Sequence, residues 1–298
     1  MATKVLVLVY DEIIESLFKK KYTQIMQNVT FELGFLQDYN PQKIKDSGYN
    51  LIICDIDSYF QEFINFYNAC KSYSSFLFIT DNKYDQYLGL LKDHHLSNLY
   101  PKGLIIEYYL TTSKLILNLC HKHIFGINHY AEYPTFLETM PVHYSSEIRK
   151  LSFKIDFLFP FLSKEKALRF KLAFYEIASN AFFHSHDLKK GTEAYIKQPI
   201  FISFAEDAEK ILFSITDRRG TLKRETVFYW LFKRITEQDA FSEGHGRGFF
   251  LMKNIIDNLI INIKDNEMNE FIAIFYKNEY MGEKALIIQQ IEEEQEVE

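Results

Sequence analysis

Nothing in this chain approaches the roughly 20 consecutive apolar residues that a membrane-crossing helix requires, since Lys114 and the His121/His123 pair interrupt the best candidate. An excess of positive charge is also missing. The 34 Lys and Arg stand against 40 Asp and Glu, a formal net charge of -6, and no basic stripe with interleaved aromatics reverses that balance locally. Direct binding to nucleic acid and to membranes is therefore set aside. Cysteine is scarce and odd in number, with Cys54, Cys70 and Cys120 spaced neither in pairs nor for metal, which excludes a disulfide framework. His121, His123, His129 and His143 have no Cys or carboxylate cluster to complete a closed zinc site, so they read as linker or surface residues. The opening residues, MATKVLVLVYDE, lack a basic region followed by a long apolar one, and a reducing cytoplasm is the expected setting.

What is present is ample for packed cores. The chain has 298 residues, 47% hydrophobic and 25% charged, a length that ordinarily divides into two domains. Over the first 120 residues, strand-like runs alternate with helical patterns: KVLVLVY, IIESLFKKKYTQIM, NLIICDID, FQEFINFYNAC, SFLFIT, KYDQYLGLLKD and LSNLYPK. Strict alternation predicts α/β architecture, a doubly wound parallel sheet covered on both faces. Ligands of such sheets lie at the carboxyl ends of the strands. Those ends carry Asp11 and Glu12, Asp55 and Asp57, Thr80 and Asp81, and Lys102.

This segment resembles the receiver domain of two-component response regulators. The resemblance implies that Asp55 is a phosphoacceptor and, with Asp11, a Mg²⁺ ligand, that Thr80 is a switch hydroxyl and that Lys102 is the counter-charge to the phosphoryl group. The chemistry is coherent, because clustered carboxylates call for a divalent cation and an ammonium offsets an acyl phosphate. Two positions depart from the receiver pattern: Tyr10 stands where a second metal-binding acid is usual, and Gly103 where a proline usually follows the lysine. The alternative is a receiver-shaped docking module in which Asp55 and Asp57 merely end a buried strand.

A last helix is expected over residues 104–122, and HKHIFGINHYAEY has the polar, Gly- and Asn-bearing composition of a linker. The expected division is a receiver-like domain at 1–122, a linker at 123–133, a second domain at 134–282 and an acidic tail at 283–298.

Three motifs occupy the second half in fixed order. In KEKALRFKLAFYEIASNAFFHSH, Glu176, Asn180 and His184 share one face of an otherwise apolar helix. The run KILFSIT then ends in Asp217-Arg218-Arg219-Gly220, and GHGRGFFLMKNIID carries Gly244, Gly246, Arg247 and Gly248 ahead of a helix reaching Asp257. Closely spaced glycines before a helix leave backbone N–H groups and a positive helix end open to phosphate. In order these look like the N, G1 and G2 boxes of the GHKL ATP-binding fold, an α/β sandwich, and most closely those of the anti-sigma-factor serine kinases. The resemblance runs from about Pro134 to Tyr276.

Each role it implies has a physical reason. The Asn180 side-chain oxygen is a hard neutral ligand for Mg²⁺. Glu176, one turn earlier, is placed to accept a proton from an attacking hydroxyl. Asp217 would accept the adenine amino hydrogen, Gly220 opens the G1 turn, and Gly244, Gly246 and Gly248 admit phosphate, with Arg247 adding charge. Arg219 stands where the family has the first glycine of G1 and could crowd the adenine pocket or turn away from it. Between the boxes, ETVFYWLFKRI is an amphipathic helix with the single tryptophan, Trp230.

These features lead to the expectation of a cytoplasmic signalling protein in which a receiver-like domain regulates an ATP- and Mg²⁺-dependent serine/threonine kinase acting by partner switching. Its partners would be a sigma factor or an anti-sigma antagonist, an upstream histidine kinase and a second copy in a homodimer. The alternative is a catalytically degenerate, non-enzymatic protein-binding regulator. A histidine kinase is disfavoured because the long phosphorylatable helical hairpin has no room, and an ATP-driven clamp because no transducer segment follows Tyr276.

Overall fold

The computed structural model describes residues 3–81, 84–94, 96–232, 252, 255–278 and 284–291, which form two compact units, Met1–Ile124 and Phe125–Glu298. Among the described residues, no helix is long and apolar enough to cross a membrane.

The first unit runs β1 (Thr3–Leu8), α1 (Glu12–Leu17), a π-helical turn over Phe18–Tyr22 into α2 (Thr23–Ile25), β2 (Val29–Gly34), α3 (Pro41–Ser47), β3 (Leu51–Asp55), α4 (Phe60–Cys70), β4 (Ser75–Thr80), α5 (Tyr84–Asp93), β5 (Leu99–Pro101), α6 (Lys102–Glu107) and α7 (Tyr109–Cys120). The strands form one parallel sheet in the order β2-β1-β3-β4-β5. That is a doubly wound order with its switch point between β1 and β3. Continuous buried runs, Val5 to Leu8, Leu51 to Cys54 and Phe76 to Ile79, are what a sheet covered on both faces demands. The short α3 is delimited by local chemistry. Asn40 accepts from the Lys43 N–H at 2.9 Å, Pro41 occupies the first turn, and Gly48 takes a left-handed φ of 63° past the end.

Two details differ from the sequence expectation. The run VTFELG is the edge strand β2, where no strand was read. The last helix is two, broken at Tyr108, whose ψ of 50° leaves the helical region.

The second unit contains β6 (Phe136–Tyr144), α8 (Ser145–Leu158), α9 (Lys164–His184), β7 (Tyr195–Glu206), β8 (Lys210–Asp217), α10 (Arg224–Phe232), β9 (Asn258–Lys264), β10 (Met268–Tyr276) and β11 (Ala285–Ile291). Its six-stranded mixed sheet has the order β11-β9-β10-β8-β7-β6, antiparallel except for the parallel β11–β9 pair. Ser163 caps α9 by accepting from the Lys166 N–H at 3.2 Å. The helix then lays Phe170 and Phe174 on Phe204, Phe213 and Phe275, with ring centroids 5.0–6.4 Å apart. Such aromatic contacts add to the large apolar area buried. At the start of α9 the Lys166 ammonium donates to the carbonyls of Tyr276, Lys277 and Asn278 at 2.6–2.9 Å, pinning the helix to the end of β10.

The residues read as a linker are part of this core. Tyr130 is fully buried, its hydroxyl donating to Gln289 Oε1 at 2.8 Å and accepting from the Asn262 amide at 3.1 Å, while the Gly126 N–H donates to the buried Glu270 at 2.7 Å. The segment reaches three strands of the sheet, because burying Asn262, Glu270 and Gln289 requires partners for their polar atoms. The expected acidic tail is likewise corrected, since Ala285–Ile291 is an edge strand with Leu286, Ile287 and Ile288 buried.

Candidate functional site

In the first unit, parallel strands deliver the polar residues to one sheet edge. Asp55 ends β3, Thr80 ends β4, and Lys102 opens α6 directly after β5. The Lys102 ammonium, nearly buried, lies 3.0 Å from Asp55, 2.9 Å from Asp57, 3.3 Å from Asp81 and 4.0 Å from Asp11. Burial opposes its charge, but Asp57 and Asp55 outweigh that and raise its pKa. Burial pushes the Asp55 carboxyl upward, with Lys102 offsetting only part of the shift. For Asp57 burial also works against the charge, yet the Thr80 hydroxyl, Lys102 and the Asp81 N–H prevail and hold its pKa below the usual range.

The residues around this ammonium are not equivalent. Asp11 caps α1, accepting from the N–H groups of Ile13 and Ile14 at 2.8 and 3.2 Å. Tyr10 turns to an aromatic cluster with Phe35, Tyr59 and Phe63, and its hydroxyl accepts from the Leu36 N–H at 3.2 Å. Asp57, which the sequence placed only near a strand end, takes the largest share of the hydrogen bonds. Its Oδ1 accepts from the Thr80 hydroxyl, and its Oδ2 from the Asp81 N–H at 2.8 Å. As donor chemistry the carboxylates fit a hard cation, although among the described residues no group of three or more His, Cys, Asp or Glu is arranged to hold one.

In the second unit, Glu176 and Asn180 sit one turn apart on α9, and the Asn180 amide donates to Glu176 Oε1 at 3.2 Å. Their third partner has no signal in the sequence. Lys190, from the loop after the helix, donates to Glu176 Oε1 at 2.9 Å and to Asn180 Oδ1 at 3.0 Å. An ammonium thus stands in for a cation on the two oxygens expected to serve magnesium and proton transfer, and that donor pair fits Mg²⁺ chemically. His184 is exposed at the end of the helix.

Asp217 ends β8, 6% exposed, and burial raises its pKa against the opposing pull of the Arg219 N–H and of His186. Arg219 does not turn back on Asp217; its guanidinium donates to the Ser185 carbonyl at the end of α9, while its N–H meets Asp217 Oδ1 at 3.0 Å. Arg218 lies over the Phe201 ring at 4.3 Å. Gly220 has a structural reason of its own: φ is +59°, and a Cβ there would lie 2.3 Å from the Glu267 nitrogen. Of the helix read in ETVFYWLFKRI, residues 225–232 lie in α10, with Val227 and Phe228 buried and Tyr229 exposed, and residues 233–235 lie outside the described residues. Gly244, Gly246, Arg247 and Gly248 lie outside the described residues. Asp257, read as the end of the third motif, binds the Tyr276 N–H at 3.0 Å and Arg169 at 3.4 Å, joining β9, β10 and α9.

No family model and no curated protein matches the chain. Among solved structures, the SiaB-SiaC complex from Pseudomonas aeruginosa superposes on 55% of this chain and 99% of that chain, with a TM-score of 0.36 and 9% identity.

Proposed function

We propose that the chain is a signalling protein in which the receiver-like first unit regulates an ATP-dependent serine/threonine kinase of the anti-sigma-factor type carried by the second. The observation that carries this reading is the placement of Glu176 and Asn180 one turn apart on α9 with their side chains hydrogen-bonded, and of the Asp217 turn that Arg219 ties to Ser185 at the end of the same helix. Glu176 would take the proton of an attacking hydroxyl, Asn180 would hold Mg²⁺, and Asp217 would accept from the adenine amino group. ATP supplies the phosphoryl group when bound. Lys190 must leave Glu176 free to act as a base, because an ion-paired carboxylate is a weaker proton acceptor. In the first unit, Asp55 stands at the position where a receiver carries its phosphoacceptor, and a sigma factor or its antagonist would be the downstream partner.

A second reading, a non-enzymatic protein-binding regulator, draws on one specific observation: Lys190 already engages both Glu176 and Asn180. Phosphate release from Mg·ATP separates the two, with water in place of the protein hydroxyl. Glu176→Gln is expected to lower turnover by roughly 10²–10⁴-fold, the usual contribution of a general base, while ATP binding persists. Turnover equal to that of the wild type would remove Glu176 from the base role.

A further inference from the structure

The carboxylate that dominates the first unit's site is Asp57, not Asp55. It lies two residues past the end of β3, at the start of the loop to α4, and its N–H donates to Asp55 Oδ1 at 3.3 Å. Among the described residues, donors from two other strand ends reach its two oxygens. They include the Thr80 hydroxyl, the Asp81 N–H at 2.8 Å and the Lys102 ammonium at 2.9 Å. A phosphoryl group on Asp55 would be a strongly charged anion needing the same kinds of donor. The Asp55 and Asp57 Oδ2 atoms both lie within 3.0 Å of the one ammonium nitrogen, so a group added to Asp55 on that side would meet the Asp57 carboxylate. Two like charges drawn to one nearly buried ammonium repel each other.

We propose that Asp57 is a resident stand-in for a phosphoryl group, its carboxylate holding Thr80, Asp81 and Lys102 together so that the first unit keeps this arrangement with Asp55 unmodified. The proposal rests on the receiver-like reading of the first unit and is independent of the nucleotide site in the second. It replaces phosphorylation-dependent control with a constitutive arrangement. Tyr10 is consistent with this, since the residue that departs from the acidic pattern is spent on an aromatic cluster rather than on metal.

The test follows the backbone amide signals of Thr80 and Asp81 in the full chain by NMR, with beryllofluoride and magnesium as the phosphoryl probe. In the wild type these signals are expected to stay in place as the probe is added. In Asp57→Ala they should shift, and the probe should then return them toward their wild-type positions, a return lost in Asp55→Asn/Asp57→Ala. Intact mass after acetyl phosphate treatment gives a second reading: an adduct on Asp57→Ala and none on the wild type. Asp57→Asn, which keeps the side-chain size and removes the charge, serves if the alanine variant does not fold. Wild-type signals that move with the probe as far as those of the variant would overturn the proposal. Signals that shift in Asp57→Ala but are not restored by the probe would overturn it too, leaving Asp57 as a structural clasp of the loop. Neither result bears on ATP binding, which is measured separately.

Discussion

A buried carboxylate survives only where its charge is answered, and Asp207 shows how fully this chain does so. It lies in the turn between β7 and β8, its side chain 2% exposed, with Lys210 at 3.0 Å and the N–H groups of Glu132, Glu209 and Lys210 each at 2.9 Å. Burial alone would raise its pKa, but Lys210 and the backbone donors hold it below the usual value. A carboxyl depressed in the folded state stabilises the fold above its unfolded pKa of about 3.9, and that contribution is lost as pH falls through the folded value. Asp207→Ala should therefore cost about 3–5 kcal/mol near neutrality, because it removes one member of a buried ion pair. Urea denaturation should show the gap between variant and wild type narrowing below about pH 4; a constant gap would mean the charge is not the cause. Single residues were legible where a strand end announces them, as at Asp55, Thr80 and Lys102. Asp57 was legible only as one more strand-end acid, and Lys190 not at all, because their importance lies in which donors and acceptors the loops bring to them, and no spacing encodes that.

Elements were readable in proportion to how continuous their apolar pattern is. The buried strands β1, β3 and β4 and the long helix α9 present unbroken or strictly periodic runs. The edge strand β2 is half-exposed along VTFELG, so neither a run nor a clean alternation marks it. At the other end of the chain, EEEQEVE drew attention away from ALIIQQI, whose pairing with β9 over seven residues depends on a partner distant in sequence. The residues 125–131 were misread for a related reason: their polar composition serves a buried hydrogen-bonding network rather than solvent. Truncation after Lys284 tests the weight of β11. It uncovers β9 and forfeits the burial of Leu286, Ile287 and Ile288, on the order of 5 kcal/mol or more at the usual value per side chain. Since whole domains have only about 5–15 kcal/mol of net stability, the truncated chain should lose its cooperative thermal transition in the second unit. A transition unchanged by circular dichroism would show that β11 contributes little.

At the scale of the whole molecule, alternation of strand and helix was enough to foresee a parallel sheet in the first half. The ordered motifs of the second half pointed to a separate α/β sandwich. Each unit has its own sheet and core. Two sites, one in each unit, have a lysine ammonium among their key oxygens: Lys102 at Asp55 and Asp57, which the strand-end pattern foresees, and Lys190 at Glu176 and Asn180, which no pattern in the sequence marks. In both, an internal cation satisfies groups whose chemistry would otherwise attract a metal or a phosphate-bearing ligand. Binding of adenine nucleotide by the second unit through Asn180 and Asp217, as proposed, is read by calorimetric titration with Mg·ATP, with Mg·GTP as the control. Saturable heat with ATP that is absent with GTP and lost in Asn180→Ala is expected; no heat with ATP in the wild type, or equal heat in the variant, would contradict the proposed site.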